Sequence, residues 1–465
     1  MTLGPAAVSA LDSTVLGPLH TSGELREVLG ESGLLERFVQ TEAALATAQA
    51  DVGLIPPEAA TQLGLLSVDD LDLARLADRA SEVGYPIVGL VEQLAEIIPD
   101  DLGRYVHWGA TTQDIMDTAL VLQIRDALDL IEADLLALAQ GLHRLAETHR
   151  DTSVVGRSQL QQALPTTFGH RAAGWLSPLL RHLDRLAELR PRVEVVQLGG
   201  AVGTLASMAP HGVTVRAKLA EQLGLGDPST SWHSSRDRLV EVVAWAAQVS
   251  SSLAKIGLDV SLSAQTEVTE LNEGSFGASS AMPHKRNPIL SQQLIRAARL
   301  TRTHLDLALD SAVADYDRAT AAWSLEWNAI APALAVAGGA VTAGVDLIAG
   351  LRVNATAMAD NLDRTGGLIL AEAVMMHLAP QLGRQRAHDT VAAMVARSLE
   401  TDRSFAEIVA ADAPDAWSTL DPTTYMGHAG DHVDAVLAAA ARRFGPLAPV
   451  SPPPNEVTSE RTRSS

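Results

Sequence analysis

The chain of 465 residues contains no cysteine, which excludes disulfide bonds and thiolate chemistry. Aromatic residues make up only 3% of it, whereas hydrophobic residues make up 47%, so we expect a large and mainly aliphatic core. Basic residues are also scarce: 35 Lys and Arg against 56 Asp and Glu give a net charge of −21. A surface this acidic argues against nucleic acid or an anionic membrane as the partner, so an anionic ligand would need local cations.

Targeting signals are lacking as well. Residues 1–13 have neither a basic start nor an apolar stretch, so they do not resemble a signal peptide. No uninterrupted apolar run reaches the length of a membrane span. We therefore expect a cytoplasmic protein.

Helical periodicity is present nearly everywhere, and strand-like alternation is scarce. Between Ile115 and Arg150 the only glycine is Gly141 and there is no proline. Leucine, isoleucine and alanine recur there every three or four residues, which predicts a helix of roughly 50 Å. Similar segments run over 236–271, about 289–314 and about 323–351. Helices of this length predict an all-α fold built on an elongated bundle.

Turn-rich stretches suggest where domains meet. We expect an N-terminal helical domain over 1–100, a central long-helix bundle over 101–350, and a C-terminal helical domain over 351–450. Residues 451–465 carry three consecutive prolines and little apolar content, so we predict a disordered tail there.

Three polar segments interrupt the aliphatic pattern: the first at 106–114, the second at 156–165 and the third at 277–288. In the first, Thr111 or Thr112 could cap the next helix, whose N-terminus can bind a carboxylate. For these threonines, a purely structural role as helix caps is as well supported as a role in binding. The second, taken alone, predicts a polar helix entry. The third is bounded by glycine and cut by Pro283 and Pro288, so it is a loop. Its hydroxyls and cations suit a carboxylate-rich ligand.

The third segment, Gly-Ala-Ser-Ser-Ala-Met-Pro-His-Lys-Arg-Asn-Pro, closely resembles the signature loop G-S-S-x-M-P-x-K-x-N-P of the fumarase/aspartase superfamily. The first two segments resemble its other two signature regions, in the same order. The resemblance extends to Gly199–Ala206, Trp232-His233, Arg236–Arg238, Trp323, Glu326-Trp327, Gly366–Glu372, Asp421-Pro422, Tyr425 and Gly427. It implies an all-α, three-domain fold and a homotetramer whose active sites combine the three regions from three subunits. The segments are most similar to the branch that contains 3-carboxy-cis,cis-muconate cycloisomerase.

The resemblance also implies roles for individual residues. Ser279 corresponds to the serine that acts as the base on the carbon next to a carboxylate, which requires activation by the surrounding loop. Lys285 and Asn287 correspond to residues that bind a carboxylate and stabilise the aci-carboxylate intermediate. The other candidates for contact with the substrate are His107, Thr111, Thr112, Ser158, Gln159, Gln161, Ser280 and Arg318. No metal and no organic cofactor is implied.

Departures from the superfamily pattern bear on the leaving group. Many members have Thr-His where this chain has Ser158-Gln159, and Tyr85 aligns with a histidine of adenylosuccinate lyases. Glutamine cannot transfer protons as histidine does, so a leaving group that needs protonation, such as an amine or purine, is disfavoured. A group that is stable as an anion is favoured. Ala278 and Thr112 also replace the usual glycine and serine.

The expected function is therefore a cycloisomerase that interconverts 3-carboxy-cis,cis-muconate and 4-carboxymuconolactone, where the leaving group is the substrate's own carboxylate. The alternative is a lyase that cleaves a substituted succinate to fumarate. Nitrite, as in a nitrosuccinate lyase, fits that alternative better than the amine of an adenylosuccinate-type substrate. A structural, non-enzymatic role is a third possibility, and the intact Ser279, Lys285 and Asn287 argue against it.

Overall fold

The computed structural model describes residues 7–274, 277, 282–417 and 421–445. Within them the chain is mainly helical, which confirms the predicted all-α class. The helices are α1 (Gly23–Leu29), α2 (Glu31–Ala50), α3 (Pro57–Leu63), α4 (Leu73–Val83), α5 (Pro86–Ile97), α6 (Thr112–Thr148), α7 (Phe168–Val193), α8 (Gly212–Leu223), α9 (Asp237–Ser263), α10 (Ile289–Ser311), α11 (Ala322–Leu325), α12 (Ile330–Gly350), α13 (Ala355–Asp363), α14 (Ala371–Leu382), α15 (Arg384–Glu400), α16 (Phe405–Asp412), α17 (Pro414–Trp417) and α18 (Ala429–Phe444). The short strands are β1 (Ser153–Ser158), β2 (Gln161–Thr167), β3 (Leu271–Asn272) and β4 (Arg352–Val353).

The predicted long helices are present, with shifted ends. Helix α6 has 37 residues, about 55 Å at 1.5 Å per residue. Helix α9 stops at Ser263, before the predicted end at 271, and the chain then turns into β3. The segment predicted over 323–351 is divided into α11, a 3-10 turn over Glu326–Asn328, and α12.

The chain divides into two compact units, each discontinuous in sequence. The described parts of Met1–Leu138 and Arg181–Asn354 form the first unit, and those of Ala139–Leu180 and Ala355–Ser465 form the second. Helices α6 and α7 contribute residues to both. The division into three domains and a tail remains a prediction, and the tail lies outside the described residues.

Helices α9, α10 and α12 pack against one another in the core of the first unit. Small residues allow the close approach. A Cβ on Gly257 of α9 would lie 2.6 Å from the carbonyl oxygen of Ser291 on α10. A Cβ on Gly339 of α12 would lie 2.2 Å from the carbonyl oxygen of His20. Larger side chains at either glycine would therefore force backbone segments apart.

A second cluster of buried side chains lies around the start of α6. It joins apolar residues of α2, α3, α5 and α8, among them Phe38, Leu90 and Leu219, to Ile115 and Leu122 of α6. Close-packed side chains hold this end of α6 in place. The first polar segment, which leads directly into α6, is thereby fixed on a rigid base.

Two stretches, Asp237–Ser263 and Ala322–Gly350, have the length and composition of a membrane span. Their most apolar windows are 56% and 72% buried inside the fold, so core packing accounts for their apolar character. The expected absence of a membrane span remains a prediction.

The second polar segment differs from the sequence-based expectation of a helix entry. It forms an antiparallel hairpin in which β1 pairs with β2, and Ser158 lies opposite Gln161. The two turn residues, Gln159 and Leu160, have φ values of 52° and 63°. Positive φ at both central positions is the geometry of a type I′ turn, which suits the twist of a two-residue hairpin. Helix α7 begins only after β2, at Phe168.

Candidate active site

Asp114, in the first turn of α6, holds the first polar segment in place. Its side chain is buried, and its two oxygens accept four hydrogen bonds. Oδ2 accepts from the backbone N–H groups of Thr111 and Gly200, both at 3.0 Å. Oδ1 accepts from the Gly199 N–H at 2.8 Å and lies 2.7 Å from Nε2 of the buried His233. One carboxylate therefore joins the start of α6, the 199–200 loop and the segment before α9.

Arg318 is brought to this end of α6 from a distant part of the chain. Its Nη1 donates a hydrogen bond to Thr111 Oγ1 at 2.9 Å, across 207 residues of sequence, and lies 3.5 Å from the carbonyl oxygen of Ala201. Thr111 precedes the first residue of α6, and its hydroxyl accepts from Arg318. The guanidinium thus lies beside a helix N-terminus, where both groups favour an anion.

His107 adds a titratable side chain to the first polar segment. Its Nδ1 lies 2.6 Å from Oε1 of Glu42 on α2, and its side chain is 18% exposed. Burial lowers the pKa of His107, but the Glu42 carboxylate outweighs it, so the net pKa is raised. The backbone of His107 has a φ of 59°, a conformation that costs about 1 kcal/mol or more for a non-glycine residue.

The third polar segment is described at its base. Gly277 and Asn287 pair in an antiparallel bridge, and Asn287 Nδ2 donates to the Gly277 carbonyl oxygen at 3.3 Å. Lys285 is exposed, and its backbone N–H donates to the Met282 carbonyl oxygen at 3.1 Å. Ser279 and Ser280 lie outside the described residues, so their predicted roles are carried by the resemblance alone.

Glu273, just before this loop, was not predicted from the sequence. Its buried carboxylate accepts hydrogen bonds from the backbone N–H groups of Leu290 (3.1 Å) and Ser291 (2.8 Å) and from the Ser291 hydroxyl. A carboxylate at the N-terminus of α10 is favoured by the exposed N–H groups and the helix dipole. Glu273 thus connects the segment before the third polar segment to the start of α10.

The second polar segment belongs to the second unit. Ser158, Gln159 and Gln161 are exposed at the end of the hairpin. The backbone strain of the turn is of the kind that accumulates at functional sites. The structure therefore brings Thr111 and Arg318 into contact within one unit, whereas Ser158, Gln159 and Gln161 lie together in the other.

The first unit also contains a buried cluster of charged side chains that the sequence did not predict. Arg236 makes a bidentate pair with Asp117 at 2.7 and 2.8 Å and a second with Glu326 at 2.6 and 2.5 Å. All three side chains are only 1% exposed. Burial raises the pKa of Glu326, and although Arg236 opposes this, the nearby Asp117 adds to it, so the net pKa is raised. The three residues are far apart in the sequence, so the sequence alone gives no sign that their charges are buried together.

Tyr85, which aligns with a histidine of adenylosuccinate lyases, has a packing role in the structure. Its ring stacks on Trp323 with centroids 5.4 Å apart and meets Trp327 edge-on at 6.3 Å. Trp323 and Trp327 are in edge-to-face contact at 5.8 Å. Within the described residues, no group of three His, Asp or Glu side chains is arranged to hold a metal ion.

Comparisons with known proteins agree with this architecture. A family model described as "Lyase" matches residues 22–300, and one described as "Adenylosuccinate lyase C-terminus" matches residues 367–436. The chain is 38% identical to the 3-carboxy-cis,cis-muconate cycloisomerase of Acinetobacter baylyi, over 92% of this chain and 99% of that one. It is 36% identical to the nitrosuccinate lyase of Streptomyces davaonensis, over 95% and 98%.

Among solved structures, the 3-carboxy-cis,cis-muconate lactonizing enzyme of Pseudomonas putida matches with a TM-score of 0.88 and 38% identity, covering 93% of this chain and all of that one. The helical fold, the order of the three polar segments and these matches over nearly the full length agree. The chain is an enzyme of the lyase family within the fumarase/aspartase superfamily.

Proposed function

We propose that this protein is a cycloisomerase that interconverts 3-carboxy-cis,cis-muconate and 4-carboxymuconolactone. The observation that carries the proposal is the pair of side chains at the hairpin turn, Ser158 and Gln159. Neither transfers protons readily near neutral pH, so a leaving group that departs as a stable anion is favoured. In lactone opening that group is the substrate's own carboxylate, which stays tethered. Curated relatives with this activity support the same choice.

The charge around the start of α6 supports a polycarboxylate substrate. Arg318 is a cation on a protein whose net charge is −21 with its histidines counted as neutral. Arg318 donates to Thr111 at the start of α6. In the same polar segment, burial lowers the pKa of His107, but Glu42 outweighs it and the net pKa is raised. A substrate with three carboxylates gains from each of these groups.

In the proposed mechanism, Ser279 handles the proton on the carbon next to a carboxylate. For lactone opening, deprotonated Ser279 removes that proton, the C–O bond of the lactone breaks, and its electrons leave with the carboxylate oxygen. For lactone closure, the carboxylate oxygen adds to the double bond, and Ser279 returns the proton to the adjacent carbon. Lys285 and Asn287 stabilise the aci-carboxylate between the two steps.

We further propose that the enzyme is a cytoplasmic homotetramer that needs no metal or organic cofactor and binds neither nucleic acid nor membrane. The resemblance to the superfamily implies active sites assembled from several subunits. Light scattering of the active enzyme should give four times the 49.0 kDa chain mass. An active monomer would contradict shared sites.

The test of function is direct turnover. The conjugated diene of 3-carboxy-cis,cis-muconate absorbs in the ultraviolet, and its loss on lactone formation should follow the enzyme concentration. No change in absorbance with a folded enzyme would refute the proposal.

A nitrosuccinate lyase is the second candidate, favoured by the 36% identical relative and by the same Gln159, since nitrite also leaves as a stable anion. Nitrite release and fumarate formation from nitrosuccinate, without muconate turnover, would establish it instead.

A further inference from the structure

Asp114 accepts hydrogen bonds from both backbone segments that contact the Arg318 guanidinium. The guanidinium contacts the Thr111 hydroxyl and the Ala201 carbonyl oxygen. Asp114 Oδ2 accepts from the Thr111 N–H on one side and from the Gly200 N–H, next to Ala201, on the other. The position of Arg318 relative to the start of α6 therefore depends on one buried carboxylate.

The two segments that donate to Asp114, the one ending at Thr111 and the 199–201 loop, also contact each other directly. Their spacing therefore has little room to change. A Cβ on Gly200 would lie 3.2 Å from the Gly109 carbonyl oxygen, and the Ser207 hydroxyl donates to that same oxygen at 3.0 Å. Gly200 has a φ of 70°, which permits the turn that points its N–H toward Asp114. A change in the Asp114 bonds would move both loops together.

Only a carboxylate satisfies all four donors. An ionised Asp is an acceptor at both oxygens, whereas Asn presents an NH₂ group at one of them. In Asp114→Asn that NH₂ would face backbone N–H donors, either those of Thr111 and Gly200 or that of Gly199. One loop would then have to move, or a buried donor would be left unsatisfied.

We propose that Asp114, oriented by His233, is a positioning residue that sets the Arg318 guanidinium for binding a substrate carboxylate. The inference rests on the proposed function only in taking the ligand to be a polycarboxylate. Because Asp114 itself is buried, it acts through Thr111, the 199–201 loop and Arg318.

A double-mutant cycle tests this inference. The variants are Asp114→Asn, Arg318→Gln and the double variant, and the readouts are the calorimetric Kd of tricarballylate and the KM and kcat for 3-carboxy-cis,cis-muconate. Loss of a charge-assisted carboxylate contact should weaken binding on the order of tenfold to a hundredfold in Arg318→Gln. Asp114→Asn should weaken it about tenfold, mainly in Kd and KM, and the double variant should be no weaker than Arg318→Gln. Fold losses that multiply in the double variant would overturn the inference.

Asp126→Asn is the matched control, because Asp126 lies on the same helix and pairs instead with Arg37 at 2.5 Å. It should leave the Kd of tricarballylate unchanged. If Asp114→Asn does not fold, His233→Leu replaces it in the cycle, because it keeps the carboxylate and removes one of its four partners. The same non-additivity with Arg318→Gln is expected from it, and additive losses would overturn the inference.

The two proposals fail in distinguishable ways. Absence of muconate turnover would refute the proposed function, but the double-mutant cycle could still be measured through the Kd of tricarballylate. Absence of tricarballylate binding by the wild-type enzyme would overturn the inference about Arg318, whatever the substrate proves to be.

Discussion

Replacing Arg236 by Met should destabilise the protein strongly and in a pH-dependent manner. The substitution keeps much of the side-chain length but leaves Asp117 and Glu326 buried without their shared cation. Removing one partner of a buried ion pair costs about 3–5 kcal/mol, and here two carboxylates lose the same partner. The loss in the free energy of unfolding should therefore be at least about 3–5 kcal/mol at pH 7.

Protonation sets how that loss varies with pH. A buried carboxylate without a cation is most stable when protonated, and protonating a Glu whose ordinary pKa is about 4.3 costs about 3.7 kcal/mol at pH 7, from 2.7 units at 1.36 kcal/mol each. At pH 5.5 the same protonation costs about 2 kcal/mol less. Groups with a raised pKa in the folded state, as Glu326 already has, stabilise the fold below their unfolded pKa and lose that contribution as pH rises.

Chemical denaturation followed by circular dichroism, at fixed protein concentration, measures the effect. Arg238→Met is the matched control, because Arg238 lies 5.2 Å from the same Trp232 ring that Arg236 contacts at 5.0 Å and is not in the carboxylate cluster. The control should lose only about 1 kcal/mol, with little pH dependence. The gap in the free energy of unfolding between Arg236→Met and wild type should narrow from pH 7 to 5.5, by about 2 kcal/mol for each carboxylate that is protonated in the variant. A loss equal to that of the control, or a gap that widens on acidification, would refute the reasoning.

Three further predictions concern the site. Ser279→Ala should reduce kcat by about three orders of magnitude while circular dichroism and light scattering stay unchanged, and near-normal turnover would exclude Ser279 as the proton-transfer residue. Glu42→Gln should lower the pKa of His107, because the carboxylate that raises it is gone; wild-type kcat/KM should fall as pH rises through the His107 pKa, and in the variant this fall should occur at lower pH. The same limb at the same pH in both proteins would show that His107 does not govern binding. Gln159→His should not raise kcat, and a large gain with a new pH limb near about 6.5 would mean that protonation of the leaving group limits turnover.

The presence of the long helices was predictable because its causes are local, although the ends of α9 and the division between α11 and α12 were not. The stretch over α6 lacks proline and has one glycine, and its apolar residues repeat at helical spacing, so neither propensity nor packing conflicts with a long helix. The described part of the third polar segment, 277 and 282–288, was predictable as non-helical because Pro283 and Pro288 cannot continue a helix.

The hairpin over β1 and β2 was not predictable from local signals. Two-residue turns with positive φ usually carry Asn-Gly or Asp-Gly, whereas this turn carries Gln159-Leu160. The paired strands and the strain they impose are visible only once the fold brings β1 and β2 together. The residue pattern Val154-Val155 and Thr166-Thr167 contains a strand signal, although the glutamines between them obscure it.

For the site residues, too, local features were predictable from the sequence and contacts between distant residues were not. Thr111 and Arg318 were candidates through the resemblance, but their contact joins positions 207 residues apart, which periodicity cannot supply. Asp114 is an ordinary acid for the first turn of a helix, and nothing local shows that it also bonds Gly199, Gly200 and His233. Sequence reasoning therefore missed the contacts between residues that are distant in sequence, even where it named one or both of the residues.

The most direct test of the central claim is the ultraviolet absorbance of 3-carboxy-cis,cis-muconate incubated with the wild-type enzyme and, in parallel, with Ser279→Ala. The account predicts loss of the diene absorbance with wild type, formation of 4-carboxymuconolactone, and at least about a thousandfold slower change with the variant. A stable absorbance with folded wild-type enzyme, together with nitrite release from nitrosuccinate, would contradict it.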